Sequence, residues 1–244
     1  MPAASATTTV LPYGNDYSWP QCPRGVGNGQ GAPLPGGYHA FAIVGLTDGV
    51  GMVRNPCLAS EWAYARSHAS FLTGYAVPTY PTRSETAAAY RGHYGRCATL
   101  NCRLANAGWA ESNAFEASLL AVHAHPPVVW IDVEIRHRSP WSASRSRNST
   151  VIRAVIAGLR AKGHLVGIYS TGAMWREIAG FRTTLPEWVP AASLTRGCTR
   201  SFAGGPVWLS QWTHTYPSGN AYDENGRCRG MRAMASWWLS SAAR

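Results

Sequence analysis

The sequence predicts an α/β fold: an irregular, TIM-like (β/α) barrel with parallel strands inside, helices outside and disulfide staples. Three observations carry that expectation. Apolar strand-like runs alternate with helical patterns along most of the chain. The strands read as continuous apolar stretches. The six cysteines form an even set. Continuous apolar strands mark parallel strands covered on both faces. A chain of 244 residues is ordinary for one such barrel.

Residues 1–12 are expected to be a disordered lead, and 13–244 a single domain without repeat or linker. Tyr13–Trp19 opens as a short strand, followed by a Pro/Gly-rich loop from Pro20 to Gly37. Ala40–Leu46 is apolar and reads as a buried strand. Pro56–Ser70 has helical spacing, and Phe71–Tyr80 is strand-like up to Pro81. Ser84–Tyr94 is helical with Ser84 as its expected N-cap. Asn106–His125 is the longest helical pattern, closed by Pro126 and Pro127.

Val128–Ile135, VVWIDVEI, is the clearest strand. Asn148–Ala161 is helical, with Gly163 suited to its C-terminal cap. Leu165–Ser170 is a strand and Gly172–Ala179 a short helix. Trp188–Ala192 and Val207–Trp212 are late strands, and Arg232–Ser240 is a final helical piece. The crowded strands of the last third make the expected barrel irregular. Gly25, Gly27 and Gly29 lie in a long loop with no helix after them, which argues against a dinucleotide-binding sheet.

Composition narrows the function classes. Charged residues are 14% of the chain, against about a quarter usually. With 11 Trp and 11 Tyr, this is the opposite of a disordered composition. The net charge of +10 favours polyanionic partners. No run of 5–8 Lys or Arg is present, so nucleic acid is not the expected partner. No stretch approaches the ~20 apolar residues of a membrane span, so no membrane insertion is expected.

The six cysteines are Cys22, Cys57, Cys97, Cys102, Cys198 and Cys228. They form no CxxC pair or zinc spacing, and are expected as three structural disulfides in an oxidising compartment. Fifteen connectivities are possible. Sequence proximity favours Cys97–Cys102, Cys22–Cys57 and Cys198–Cys228. The cysteines imply a secreted, extracellular protein. The small, polar start from Met1 to Thr9 resembles one left after a signal peptide is removed.

The chain has four Asp: Asp16, Asp48, Asp132 and Asp223. Three lie at or just past an expected strand end, and Asp223 in a loop after the last strand. Barrel active sites form at these C-terminal strand ends. Asp132 and Glu134, two residues apart on one strand, point the same way with Cα atoms about 7 Å apart. Two acids on so apolar a strand are costly unless they face a polar cavity. Burial and mutual repulsion separate their pKa values, giving the acid and base that glycosidic cleavage needs. The alternative is an ion-paired knot with Arg136 or Arg138. Asp16 alone would serve as a turn or cap residue, and Asp48-Gly49 as a turn.

Taken in order, these residues resemble the glycoside hydrolase family 25 lysozymes, N-acetylmuramidases of peptidoglycan. Gly14-Asn15-Asp16-Tyr17-Ser18 resembles the family's first-strand G-x-D-x-S. Thr47-Asp48-Gly49 resembles T-E-G, and Trp130-Ile131-Asp132-Val133-Glu134 its central D-x-E. Gly167-Ile168-Tyr169-Ser170 is similar to an I-Y-T strand. Gln211-Trp212 with Asp223 and Asn225 are similar to the closing W-Q-Y and D-x-N. The stretch Tyr13 to Pro23 also resembles the start of secreted bacterial glycoside-hydrolase-like proteins.

The resemblance implies hydrolysis of cell-wall peptidoglycan; a monomer without cofactor is expected. The resemblance also implies Glu134 as general acid, Asp132 assisting and Asp16 tuning the pair. Asp223, Asp48, Tyr169, Gln211 and Trp212 would bind substrate. The sequence departs from the family pattern at Tyr75-Ala76-Val77-Pro78, where Y-H-F is expected, and at the basic exit Ile135-Arg136-His137-Arg138. These departures favour a second reading, a wall-binding protein without turnover. A third is a structural or interaction protein that holds an anionic polymer on its basic surface.

The remaining motifs are open or negative. No histidine pair has ligand spacing supported by a third group, so no metal is expected. No GxSxG elbow is present. Asn148-Ser149-Thr150 fits a glycosylation acceptor, and Asn148 also fits a helix cap. Trp208, Trp212, Trp237 and Trp238 read as core or as a sugar platform.

Overall fold

The structure, a computed structural model, describes residues 13–136, 140–215, 219, 221–228 and 238–240. Eight strands close into a barrel: β1 (Tyr13–Tyr17), β2 (His39–Gly45), β3 (Ala69–Ala76), β6 (Val128–Asp132), β7 (Leu165–Tyr169), β8 (Glu187–Pro190), β9 (Val207–Thr215) and β10 (Ala221–Arg227). Their spatial order is β3-β2-β1-β10-β9-β8-β7-β6, and β6 returns to pair with β3. A small hairpin of β4 (Arg91–Gly92) and β5 (Gly95–Arg96) stands apart. The helices are α1 (Leu58–His68), α2 (Arg83–Ala88), α3 (Leu100–Ala121), α4 (Arg145–Ala161), α5 (Gly172–Ile178) and α6 (Leu194–Cys198).

The barrel is mixed, which corrects the all-parallel expectation. Strand β10 runs antiparallel to both β1 and β9. The reason is length. Thr215 and Ala221 are joined by five residues, enough for a hairpin and far too few for a parallel crossover. Asp223 therefore sits on a strand, opposite Asp16, and not in a loop after the last strand.

Strand parity divides the core in two. Ala42, Val44, Val129, Ile131, Val133, Val166 and Ile168 pack with α1, α3, α4 and α5, through residues such as Trp62, Phe115, Ile152 and Trp175. The alternate strand positions Phe41, Ile43, Val128, Trp130, Tyr169 and Trp188 form a second cluster, with no helix residue among those described. Gly167 makes room for Trp130: a Cβ there would lie 2.3 Å from the indole. Trp208 and Trp238 belong to this inner cluster and are core residues. Trp237 lies outside the described residues.

Several boundaries and caps differ from the sequence expectation. Helix α3 begins six residues earlier than Asn106, where the Thr99 side chain accepts the Cys102 N–H. Helix α2 is capped by Thr82 in a capping box with Glu85, rather than by Ser84. Helix α4 is capped by Ser144. Asn148 is fully buried and donates to the Ser142 and Ile178 carbonyls, which rules out both the cap and the glycosylation readings. Of the expected C-terminal helix, Leu239–Ser240 is instead a short strand, β11, on the edge of β3. The expected lead and residues 232–237 of that helix lie outside the described residues.

The disulfides are Cys22–Cys57, Cys97–Cys102 and Cys198–Cys228. They tie the loop after β1 to the start of α1, staple the start of α3, and join α6 to the end of β10. The two long closures restrict the unfolded chain most, at about 2–4 kcal/mol each. No helix among the described residues is long and apolar enough to cross a membrane.

Candidate active site

At the C-terminal ends of the parallel strands, a cavity of about 120 Å³ is lined by Asp16, Tyr75, Asp132, Glu134, Arg136, Tyr169, Trp188, Gln211 and Asp223. Strand parity brings them there. Asp132 follows Val128 and Trp130 on the inner face of β6, and Glu134 continues that alternation past the strand end. The Val133 N–H donates to the Tyr169 carbonyl, and the Ser170 hydroxyl donates to the Val133 carbonyl, so the chain stays extended between the two acids. The Trp141 indole N–H donates to the Glu134 carbonyl.

A hydrogen-bond chain fixes the far wall. The Tyr169 hydroxyl donates to Gln211 Oε1 at 2.7 Å, and Gln211 Nε2 donates to Asp16 Oδ2 at 2.9 Å. Asn225 Nδ2 donates to the same Asp16 oxygen at 2.6 Å, while the Trp188 indole holds Asn225 Oδ1 at 2.7 Å. Thr213 donates to Asp223 Oδ1 at 2.9 Å. Burial keeps the Tyr169 and Tyr75 phenols protonated, hence donors; Tyr75 gives its hydrogen to Ser18.

Four acidic side chains thus share a small space with one guanidinium among the described residues, Arg138 lying outside them. Arg136 lies 2.5 Å from Asp132 Oδ2 and 3.3 Å from Glu134 Oε2. Burial pushes Glu134 up to about 7; Asp132 and Asp223 add to this and Arg136 opposes it. Asp132 is raised by burial against the pull of Arg136. Asp16 is raised well above the usual carboxylate range by burial and then by Asp223. The Arg136 pairing therefore does exist, but it favours Asp132 and leaves Glu134 protonated into the neutral range. One oxygen of Asp132, Oδ1, has no hydrogen-bond partner among the described residues. The Glu134 side chain is 24% exposed, so it can meet a ligand.

Two expected site residues stand elsewhere. Both Asp48 oxygens accept the Asn28 N–H, and Asn28 Nδ2 donates to the Asp48 carbonyl, so Asp48 clamps the Gly-rich loop. Trp212 follows Gln211 on β9, so the two face opposite sides, and Trp212 packs edge-on against Tyr13. Conversely, Tyr75 and Trp188 line the cavity without having been singled out for it, and Asn225, named only in the closing D-x-N, holds Asp16. Their signal was available in strand parity: each shares a face with an inward neighbour near a strand end.

The arrangement offers a carboxylic acid near neutrality beside a second acid paired with Arg136, in a polar cleft. That is the equipment for acid catalysis of acetal cleavage.

No protein-family model matches the chain. Lysozyme-like protein 5 of Caenorhabditis elegans is 32% identical over 47% of this chain and 57% of its own length. Probable GH family 25 lysozyme 2 of Dictyostelium discoideum is 23% identical over 56% of this chain and 61% of its own. The chain thus spans about three fifths of these relatives. Among solved structures, the bacterial lysozyme from Streptomyces coelicolor superposes with a TM-score of 0.62 at 15% identity, over 94% of this chain and 98% of that one. This last likeness is one of fold.

Proposed function

We propose that this chain, a relative of the glycoside hydrolase family 25 lysozymes, hydrolyses glycosidic bonds of bacterial peptidoglycan. The observation that carries the reading is Glu134, held protonated up to about pH 7 beside Asp132 in a cleft open to solvent. Glu134 delivers its proton to the leaving oxygen as the C–O bond breaks. Asp132 stabilises positive charge on the ring or orients the substrate's acetamido group, whose oxygen can attack the anomeric carbon, so no protein nucleophile is required. Asp16 and Asp223 shape the field on that pair. Tyr169 and Gln211 hold the wall against which the sugar lies. The disulfides support secretion to the compartment where such a substrate is met.

The Arg136 pair with Asp132 favours a second reading: a wall-binding protein on the same barrel that has lost turnover. Release of reducing ends from purified peptidoglycan, wild type against Glu134→Gln, separates the two. Wild-type activity that falls at least about 10³-fold in the variant supports the hydrolase. Inactive wild-type protein that still binds the wall supports the second reading and defeats the first.

A further inference from the structure

We propose a second site: a single zinc-class metal ion bound by Glu116, His125 and His164 at the opposite end of the barrel. Glu116 projects from α3, while His125 and His164 lie in the segments entering β6 and β7. Strand β6 separates them from Asp132, about 15 Å away at the usual rise per residue. The three side chains each present a ligand atom within 4.8 Å of the others.

Hydrogen positions make the case. His164 Nδ1 lies 2.7 Å from the Pro126 carbonyl, which can only accept, so Nδ1 carries the hydrogen. In the neutral ring Nε2 then presents a lone pair, and it faces Glu116 Oε2 at 2.7 Å. A cation set between Nε2 and Oε2 serves both groups, with the His164 side chain wholly buried. A proton would satisfy that pair alone. It gives no role to His125, whose Nδ1 approaches the other carboxylate oxygen, Glu116 Oε1, at 3.7 Å. Ligand atoms on tetrahedral zinc sit ~3.3 Å apart, and the two observed separations bracket that value.

The donor set also selects the ion. Two imidazoles and one carboxylate suit zinc, whereas magnesium and calcium prefer all-oxygen sites. The Pro126 carbonyl orients His164 as backbone acceptors orient metal-ligating histidines. His125 is 58% exposed and leaves a path for the ion and a position for water. The ligands come from three separate segments, so no short sequence motif announces such a site. Placed at the strand entrances, the ion would brace α3 against two barrel strands.

The test uses the oxidised full chain, stripped with chelator and titrated with zinc chloride by calorimetry, with cobalt chloride absorption as a second readout. One zinc per chain is expected, with a raised melting temperature and cobalt bands of tetrahedral intensity. His125→Ala, at an exposed position, and Glu116→Gln, at a partly buried one, are each expected to weaken binding at least 10-fold. His93→Ala is expected to leave it unchanged. Absence of saturable binding to wild type, or equal affinity in both ligand variants, overturns the proposal. Cell-wall hydrolysis plays no part in this readout, so its outcome is independent of the catalytic reading.

Discussion

Glu187, wholly buried, and Glu134, partly buried, belong to one barrel and live in opposite surroundings. Glu187 opens β8 and is fully buried. Its carboxylate accepts from the Ser201 hydroxyl and from the N–H groups of Phe202, Ala203 and Gly205, at 2.6–3.0 Å. Glu134, past the end of β6, has Arg136 at 3.3 Å and two other acids nearby. The first carboxylate is held by donors and fixes a loop. The second has only Arg136 as a side-chain donor among the described residues, faces a cleft and is pushed up to about 7. What distinguishes a structural acid from a chemical one here is the supply of donors together with access to the cleft.

Glu61 and Glu111 sharpen the point. Burial pushes Glu61 to about 7 and Glu111 to about 8. Glu111 is held by Thr79, Glu61 by Asn55, and each keeps one oxygen without a partner among the described residues. Neither lines the carboxylate cavity. A raised pKa alone therefore does not name a catalyst; the cleft and the neighbouring acid do.

The comparison can be broken most sharply at its two ends. Glu134→Gln is expected to cost at least about 10³-fold in peptidoglycan hydrolysis while leaving the thermal midpoint unchanged or slightly raised at pH 8, where it removes a buried charge. Glu187→Ala is expected to do the reverse. It leaves buried donors unpaired and costs about 3 kcal/mol or more in denaturant unfolding, and activity per folded molecule is retained. Equal effects of the two variants on stability would erase the distinction.

Arg136→Met should move the basic limb of the pH–rate profile to higher pH, because the cation that opposes protonation of Asp132 and Glu134 is gone. An unmoved limb would show that Arg136 does not tune the acid. Tyr169→Phe removes the donor that holds Gln211 and should cost about 1 kcal/mol, seen as a several-fold loss in kcat/KM.

A separate effect, away from the cleft, is on the pH dependence of stability. Glu111 binds its proton more tightly folded than unfolded. Its contribution is fullest below the unfolded value of 4.5 and is lost as pH rises through about 8. Glu111→Gln should flatten that part of the pH–stability curve, measured by urea midpoints from pH 4 to 9.

Much of this was legible in the chain because strand parity is a strict rule. Trp130, Asp132 and Glu134 had to share a face, and the scarcity of Asp pointed to the cavity. Asp223 was misplaced because a single apolar-run criterion misses β10, AYDENGR, whose inward positions are polar. Asp48 and Trp212 were drawn in by motif position. Side-chain direction, which parity or a loop clamp decides, sent them elsewhere. The choice of Arg136 between Asp132 and Glu134 depends on loop geometry after β6, and residue types alone do not encode it.

The most direct test is titration of Glu134 itself, by carbon-13 NMR of labelled glutamate carboxyls or by the infrared carboxyl band, in wild type minus Glu134→Gln. The account predicts a difference signal with a midpoint near pH 7. A midpoint near 4.5, the ordinary glutamate value, would mean that Glu134 is ionised at neutrality and cannot be the acid.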